Sequence, residues 1–363
     1  MTFTRRQFLQ AAGAAGCLLP LSGISSLSYT ANGSTAPLLL TVFLRGGADG
    51  LHLVAPTADT DYQAARPPEL RLADSGERAG LPLDRSLDPA ADFRLHPDAA
   101  PLAELYRGGR LAIVHAVGLT DGTRSHFVAQ DLIERGIADE KRIASTDSGW
   151  LNRAMTGARG LLPAYAATAA TPAALGGVKG PPTLVCPDLA AGVGLPWGAP
   201  TGQLLQQLAQ AGNSPAHQAS LAALDILGGI DRALPKDGNK VAAYRPDGRA
   251  SYDGAGDLTR SLASVARLAK MEVGLSVACV DFGGWDTHEG QAGRFANQVR
   301  QLSLGLAALH ADLAAANRLV TVLVLTEFGR RLRANRSGGT DHGHGACWLL
   351  AGDLVRGGRM FGK

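Results

Sequence analysis

The sequence predicts an α/β protein in three layers, with helices packed on both faces of a mostly parallel central sheet. Three observations predict it. Apolar runs rich in β-branched residues recur along the chain, and several are continuous rather than alternating, as in strands covered on both faces. Amphipathic helical patterns lie between them, so the last hundred residues follow a βαβ rhythm whose crossovers require parallel strands. A chain of 363 residues, 45% hydrophobic and 18% charged, is also long enough to bury a sizeable core as one large domain. Glycine, at 46 residues, shows neither the period of collagen nor the low hydrophobicity of disorder, which excludes both classes.

In chain order, the first segment reads as a leader. Thr4-Arg5-Arg6-Gln7-Phe8-Leu9 resembles the twin-arginine export signature, and the apolar stretch from Phe8 to Leu21 is too short and too rich in Ala and Gly to span a bilayer. Ser26 and Ser28 place cleavage near residue 28, leaving 29–363 as one α/β domain. A basic amphipathic start to a cytoplasmic helix is the plain alternative. Ala14-Ala15-Gly16-Cys17 only faintly suggests a lipobox, because the apolar run continues past the Cys. The expected route is export through the twin-arginine translocase to the periplasm, already folded, which suits a protein that loads a metal first. No later run approaches 18 apolar residues, so no stable membrane span is expected after processing.

Strands are predicted at 38–44, 111–117, 183–186, 275–281, 319–325 and 346–350. Leu258, Leu262, Val265 and Leu268 share one helix face, as do Val299, Leu302, Leu306, Leu309 and Leu313. The Pro/Gly/Ala-rich stretch 157–182 and the polar stretch 235–256 read as long surface excursions. The net charge is +3, and without Arg5 and Arg6 the body carries 33 basic against 32 acidic residues. With no basic stripe interleaved with aromatics, nothing drives nucleic-acid binding, and no such partner is expected. Beyond Cys17, the scattered Cys186, Cys279 and Cys347 read as small core residues rather than a disulfide or zinc framework.

The chemistry lies where the strands stop. Arg45-Gly46-Gly47-Ala48-Asp49-Gly50 follows the first strand, Gly283-Gly284-Trp285-Asp286-Thr287-His288 the 275–281 run, and Glu327-Phe328-Gly329-Arg330 the 319–325 run. Asp341-His342-Gly343-His344-Gly345 leads into the last run. Ligands of open parallel sheets bind beyond the carboxyl ends of the strands, so three clusters share a rim and the fourth reaches it from the loop into its strand. Asp49, Asp286, Glu327 and Asp341 offer carboxylates and His288, His342 and His344 offer imidazoles, a set suited to divalent zinc or manganese, as one or two ions. The pairs 286/288 and 342/344 are i and i+2, so in extended chain each pair could share an ion. Two ions about 4 Å apart would clamp the attacking and leaving oxygens of a displacement at phosphorus or sulfur.

Each cluster also has a plain structural reading. Gly-Gly-Ala-Asp-Gly makes a turn, Trp285 with Asp286 and His288 a hydrogen-bonded corner, and Glu327 an ion pair with Arg330 or Arg331. Asp341-His342-Gly343-His344 has the least reason to be structural alone. His52, His96, His115, His217 and His310 read as surface or satisfied core residues. A nucleophile is offered by Thr123-Arg124-Ser125-His126-Phe127, before a helix that Gly136 can close. Ser125 is placed as an N-cap, and the same position would aim its hydroxyl and a bound oxyanion at free backbone N–H groups, with Arg124 neutralising the anion.

Together, the leader, Leu44 to Leu51, Arg124-Ser125-His126-Phe127, Gly283 to His288, Thr326-Glu327-Phe328-Gly329-Arg330 and Gly339-Thr340-Asp341-His342-Gly343 resemble the bacterial exported family catalogued as domain of unknown function 1501. The resemblance spans essentially the whole chain. That family is grouped with the alkaline phosphatase-like and sulfatase-like hydrolases, which implies an alkaline phosphatase-like α/β/α fold and a two-metal ester hydrolase ancestry. By the same resemblance, Asp49 looks like the first-strand metal Asp, Asp286 and His288 like the Asp and His of one site, and His342 or His344 like the late His ligand. Ser125 matches the Ser/Thr nucleophile, with Arg124 and His126 beside it. Glu327-Phe328 stands where those hydrolases have an Asp-His pair. Relatives usually continue for some tens of residues beyond Lys363, which implies a truncated sheet edge here.

The expected function is a periplasmic metal-dependent hydrolase of phosphate or sulfate esters, acting on a small-molecule or polymer substrate. Its rival is a non-catalytic envelope protein that keeps a degenerate hydrolase fold and binds a glycan, a sulfated polymer or a protein partner. A full two-metal ligand set favours the first, and a single site with Ser125 buried as a cap favours the second.

Overall fold

The computed structural model describes residues 37–85, 88–177 and 180–362, so the leader and its twin-arginine pair lie outside the described residues. An eight-stranded sheet forms the middle layer. Its strands, in chain order, are β1 (Leu38–Leu44), β2 (Leu111–Val117), β3 (Ala164–Ala167), β4 (Thr183–Val185), β5 (Val277–Phe282), β6 (Val320–Leu325), β9 (Ala346–Gly352) and β10 (Arg359–Phe361). Between β6 and β9 a separate two-stranded hairpin, β7 (Arg330–Ala334) with β8 (Thr340–His342), stands at the end of the sheet. The order across the sheet is β10-β2-β9-β6-β1-β5-β3-β4. Only β9 runs against the rest: it pairs antiparallel with both β6 and β2, while β1 pairs parallel with β5 and β6.

Alternation along β1 separates the two outer layers. Leu38, Leu40, Val42 and Leu44 join the larger core with Leu102 and Tyr106 of α3 (Ala100–Arg107) and the apolar stripes of α8 (Leu258–Lys270) and α9 (Gln291–Ala315). On α9 that stripe is Phe295, Val299, Leu302, Leu306, Leu309 and Leu313, spaced three and four apart. The opposite face carries Leu39 with Ala164, Ala166, Val277 and Cys279, covered by Leu151 and Met155 at α5 (Trp150–Ala154). These two cores on one sheet make the three-layer α/β/α architecture. Completing the helices are α1 (Gly50–Leu53), α2 (Thr60–Ala65), α4 (His126–Arg135), and the hairpin of α6 (Ala199–Gln210) and α7 (Pro215–Ala233).

All six predicted strands are present. The expected surface excursion at 157–182, however, contains β3, an Ala-Tyr-Ala-Ala strand buried at every position between β5 and β4. Alanine has little strand propensity, and burial on both edges supplies what the local pattern lacks. The segment 235–256 is a loop with a two-stranded ribbon, yet its Tyr252 and Ala255 plug the larger core. Among the described cysteines, Cys279 and Cys347 are buried thiols and Cys186 is half-buried.

Candidate metal centre

Five strand ends meet at one rim because β9 is reversed. The carboxyl ends of β1, β2, β5 and β6 lie there, and so does the amino end of β9, with the hairpin that precedes it. Gly46, at φ +122°, is required by this convergence: a Cβ there would overlap the backbone of Asp286. Gly343 plays the same part against Arg330, holding the β8 end against β7.

Four donor side chains come together at this rim. His342 Nε2 lies 2.9 Å from His288 Nε2 and 3.1 Å from His126 Nε2. Asp286 Oδ1 stands 3.0 Å from His288 Nε2 and 3.2 Å from His342 Nε2, and Asp286 Oδ2 stands 3.6 Å from His126 Nε2. Phe328 walls the group, with its ring centroid 4.8 Å from those of His126 and His342.

The other ring nitrogens decide what these atoms can do. His342 Nδ1 is 2.9 Å from the carbonyl oxygen of Arg124, which can only accept, so Nδ1 carries the hydrogen. His126 Nδ1 is 2.7 Å from Glu327 Oε1 and His288 Nδ1 is 3.3 Å from Asp341 Oδ1, and both donate in the same way. Burial would raise the Glu327 carboxyl, but hydrogen bonds from His126, Gln130 and the Gly46 N–H outweigh it and hold the group down to about 2. Glu327 is therefore a carboxylate acceptor. The Glu327 hydrogen bond in turn raises His126 against the opposing effect of burial. In neutral imidazoles with Nδ1 protonated, the Nε2 lone pairs of His126 and His342 and the Asp286 carboxylate lie within 4.8 Å of one another, and His288 Nε2 adjoins His342 and Asp286.

Acceptors packed that closely repel unless a cation lies among them. Protons on the imidazoles or a metal ion would serve, and the donor set fits the metal. Imidazole nitrogen with carboxylate oxygen suits zinc or manganese, and donors about 2.0–2.1 Å from one ion stand roughly 3 Å apart. Each imidazole has its rear N–H held by a carboxylate or a carbonyl, the arrangement that orients metal-bound histidines. Of the three carboxylates here only Asp286 pairs with the buried guanidinium of Arg330, while Glu327 and Asp341 pair with the imidazoles of His126 and His288. Arg330 Nη2 donates to Asp286 Oδ1 at 2.6 Å while the same side chain binds the carbonyls of Gly46, Gly47, Thr340 and Trp285. Burial opposes ionisation of Asp286, and the hydrogen bond and charge of Arg330 work against it, so its carboxyl lies below the usual range.

The structure sorts the expected ligands. Asp286, His288 and His342 converge as donors. Glu327 and Asp341 stand behind His126 and His288 as orienting acceptors. Asp49 joins a different network: fully buried, it takes Arg66 Nη1 at 2.6 Å and Nη2 at 3.0 Å, Gln291 Nε2 at 2.7 Å and the N–H of Leu51 at 3.2 Å. Burial opposes that charge and Arg66 stabilises it, leaving the carboxyl below its ordinary value. His344 is exposed and lies beside Gly118, not with His342. Of the one or two ions expected, the described residues assemble a donor set for one. Glu327 pairs with His126 and not with Arg330 or Arg331.

His126, placed beside the nucleophile from its sequence, is a donor of the centre. The signal was present in its position just past the end of β2, on the same rim as the others. Ser125 occupies the N-cap of α4, as expected, and Gly136 closes the helix in the left-handed conformation. Its hydroxyl makes no capping bond, and the residue is exposed. Arg124 is exposed as well.

Comparison with known families bears on the second half of this site. Residues 236–363 match the family model described as "Protein of unknown function (DUF1501)". That DUF1501 match contains Asp286, His288, Glu327, Arg330, Asp341 and His342, whereas His126 and Ser125 precede it. No curated protein matches the chain. Among solved structures, it is similar to a magnesium-bound mutant of TAB5 alkaline phosphatase at 10% identity and a TM-score of 0.33, with 90% of this chain and 94% of that one covered.

Proposed function

We propose that this protein is a metal-dependent hydrolase of phosphate or sulfate esters, exported through the twin-arginine route. The observation that carries the reading is the convergence of the His126, His288 and His342 Nε2 atoms on the Asp286 carboxylate, each imidazole held from behind. A divalent ion held there would polarise an ester oxygen and favour the alkoxide of a nearby hydroxyl.

The remaining chemistry belongs to the chain. Ser125, adjacent to His126 and making no capping bond, is the nucleophile: its hydroxyl gives its proton to solvent and its oxygen bonds to phosphorus or sulfur as the bond to the alcohol breaks. The alcohol leaves with a proton from solvent, and water then cleaves the seryl ester and restores the hydroxyl. The first turn of α4 offers backbone N–H groups to the ester's free oxygens, and Arg124 offsets their charge. Glu327 and Asp341 keep the Nδ1 protons of His126 and His288 in place, so their Nε2 atoms stay available.

The test is metal analysis together with hydrolysis of aryl phosphate and aryl sulfate esters. Ser125→Ala is expected to abolish turnover with metal content intact, and His288→Ala to lower metal content. Metal-filled wild type that hydrolyses neither ester would overturn the enzyme reading. It would favour the non-catalytic binding protein, which the single donor set also suits. Arg5→Lys with Arg6→Lys is expected to leave the protein in the cytoplasm, and unchanged periplasmic delivery would rule out the proposed route.

A further inference from the structure

A cavity of about 470 Å³ shares no residue with the candidate metal centre. That volume is in the range of small-molecule sites. One wall is a stripe of α8 on which Arg260, Ala263, Ser264 and Arg267 stand at i, i+3, i+4 and i+7, and Tyr244 and Tyr252 contribute to the other.

Arg267 is the unusual member. It is only 6% exposed, and it makes no ion pair among the described residues. Its Nη2 donates to the carbonyl of Ala242 at 2.7 Å, while Nη1 is sealed from solvent with no hydrogen-bond partner. The Tyr244 ring lies under the guanidinium at 5.3 Å. Desolvation lowers its pKa, against the opposing effects of Tyr244 and of the Asp188 carboxylate. Asp188 acts on it only from a distance, and a buried guanidinium with an unbonded N–H is disfavoured.

The other polar groups of the cavity are already engaged. Tyr244 and Tyr252 donate their hydroxyls to Asp312, Ser251 donates to Asp253, and Thr259 donates to the carbonyl of Tyr252. Asp188, the remaining carboxylate of the wall, caps the turn at Ala190. The unmet donors of the lining are therefore on Arg267 and on the exposed Arg260, which also forms no ion pair among the described residues, while Asp188 and Asp253 each already accept a hydrogen bond.

We propose that this cavity binds a small organic anion, its carboxylate or phosphate gripped by Arg267 and Arg260 and its apolar body set against Tyr244 and Tyr252. The planar guanidinium fork matches either oxyanion in bidentate fashion. A turn of the Arg267 side chain would exchange its single bond to Ala242 for that grip. The inference does not depend on the metal centre or on ester hydrolysis.

Calorimetric titration of the full chain with benzoate and with inorganic phosphate tests it, with metal content measured alongside. Saturable binding is expected for at least one probe, weakened about tenfold or more in Arg267→Gln and in Arg260→Gln, at unchanged metal content. Tighter binding of benzoate assigns the site to carboxylates with an apolar body, and tighter binding of phosphate assigns it to phosphorylated ligands. Arg260→Gln, at an exposed position, keeps the test open if Arg267→Gln fails to fold. Absence of saturable binding up to about 10 mM of either probe, or binding indifferent to both substitutions, overturns the proposal.

Discussion

The role of each carboxylate at the rim is set by what its oxygens touch. Asp286 faces two imidazole nitrogens at 3.0–3.2 Å and stands among the donors, whereas Glu327 and Asp341 accept from the far sides of His126 and His288. Removing such a rear acceptor frees the ring to rotate and to carry its proton on Nε2, where it blocks a metal. Glu327→Ala and Asp341→Ala are each expected to weaken zinc or manganese binding about 10- to 100-fold, read by competition with a chelating dye. Affinity unchanged in both variants would remove them from the centre. For Ser125, the missing cap bond changes what its sequence position predicts. A capping serine replaced by alanine costs about 1 kcal/mol, whereas Ser125→Ala is expected to stay within about 0.5 kcal/mol of wild type in urea unfolding.

At the scale of elements, the Asp49–Arg66 pair ties the hairpin that carries His342 to the body. Arg66 ends α2 and binds the β7 carbonyls of Arg331 and Leu332, and Gln291 at the start of α9 links Asp49 to Thr340 of β8. Arg66→Met leaves a buried carboxylate without its cation. It is expected to cost about 3–5 kcal/mol and to weaken metal binding through the hairpin, with Asp49→Asn in the same chain recovering much of the stability. Beside this pair, His52 of α1 stacks on Phe295 of α9 at 4.6 Å, and His96 meets the same ring edge-on. Burial holds them at about 3 and about 4, below the ordinary value near 6.5. The unfolded chain therefore takes up their protons first as pH falls below about 6.5, so stability is lost from there down toward pH 4. Two such groups give a slope of at most about 2.7 kcal/mol per pH unit. Denaturant midpoints from pH 7 to pH 4 measure it, and His52→Asn should flatten the curve.

Across the whole molecule, the metal centre is a junction. His126 comes from the start of α4, Asp286 and His288 from the segment after β5, and His342 from the hairpin, while Arg330 binds the Gly46 and Gly47 carbonyls just past β1 and the Asp286 carboxylate. An ion bound there would stabilise the folded chain and not the unfolded one. Stripping the metal with a chelator is expected to lower Tm, and added zinc or manganese to restore it. The gain is about 2.7 kcal/mol when free metal stands at 100 times Kd. A melting curve indifferent to chelation would mean that protons, not a metal, offset the facing lone pairs.

The sequence by itself determined the layers, because burial on a strand or helix face is periodic and local. Continuous apolar runs marked the parallel strands, three-and-four spacings marked α8 and α9, and glycine-flanked Asp and His residues at strand ends marked the rim. For the same reason β3 escaped it: four residues of Ala-Tyr-Ala-Ala carry no pattern until two neighbouring strands cover them. Tertiary structure alone decided which polar groups meet. Asp49 looked equivalent to Asp286 along the chain, yet α2 brings Arg66 onto it, while Asp286 is left facing imidazoles. His342 and His344 stand two residues apart, but only His342 is tied by its Nδ1 to the Arg124 carbonyl across the fold. The reversal of β9 brought the last cluster to the rim, and the exit of β2 brought His126. Hydrogen-bond and charge partners lie up to hundreds of residues apart, so their pairing depends on packing that no local pattern encodes.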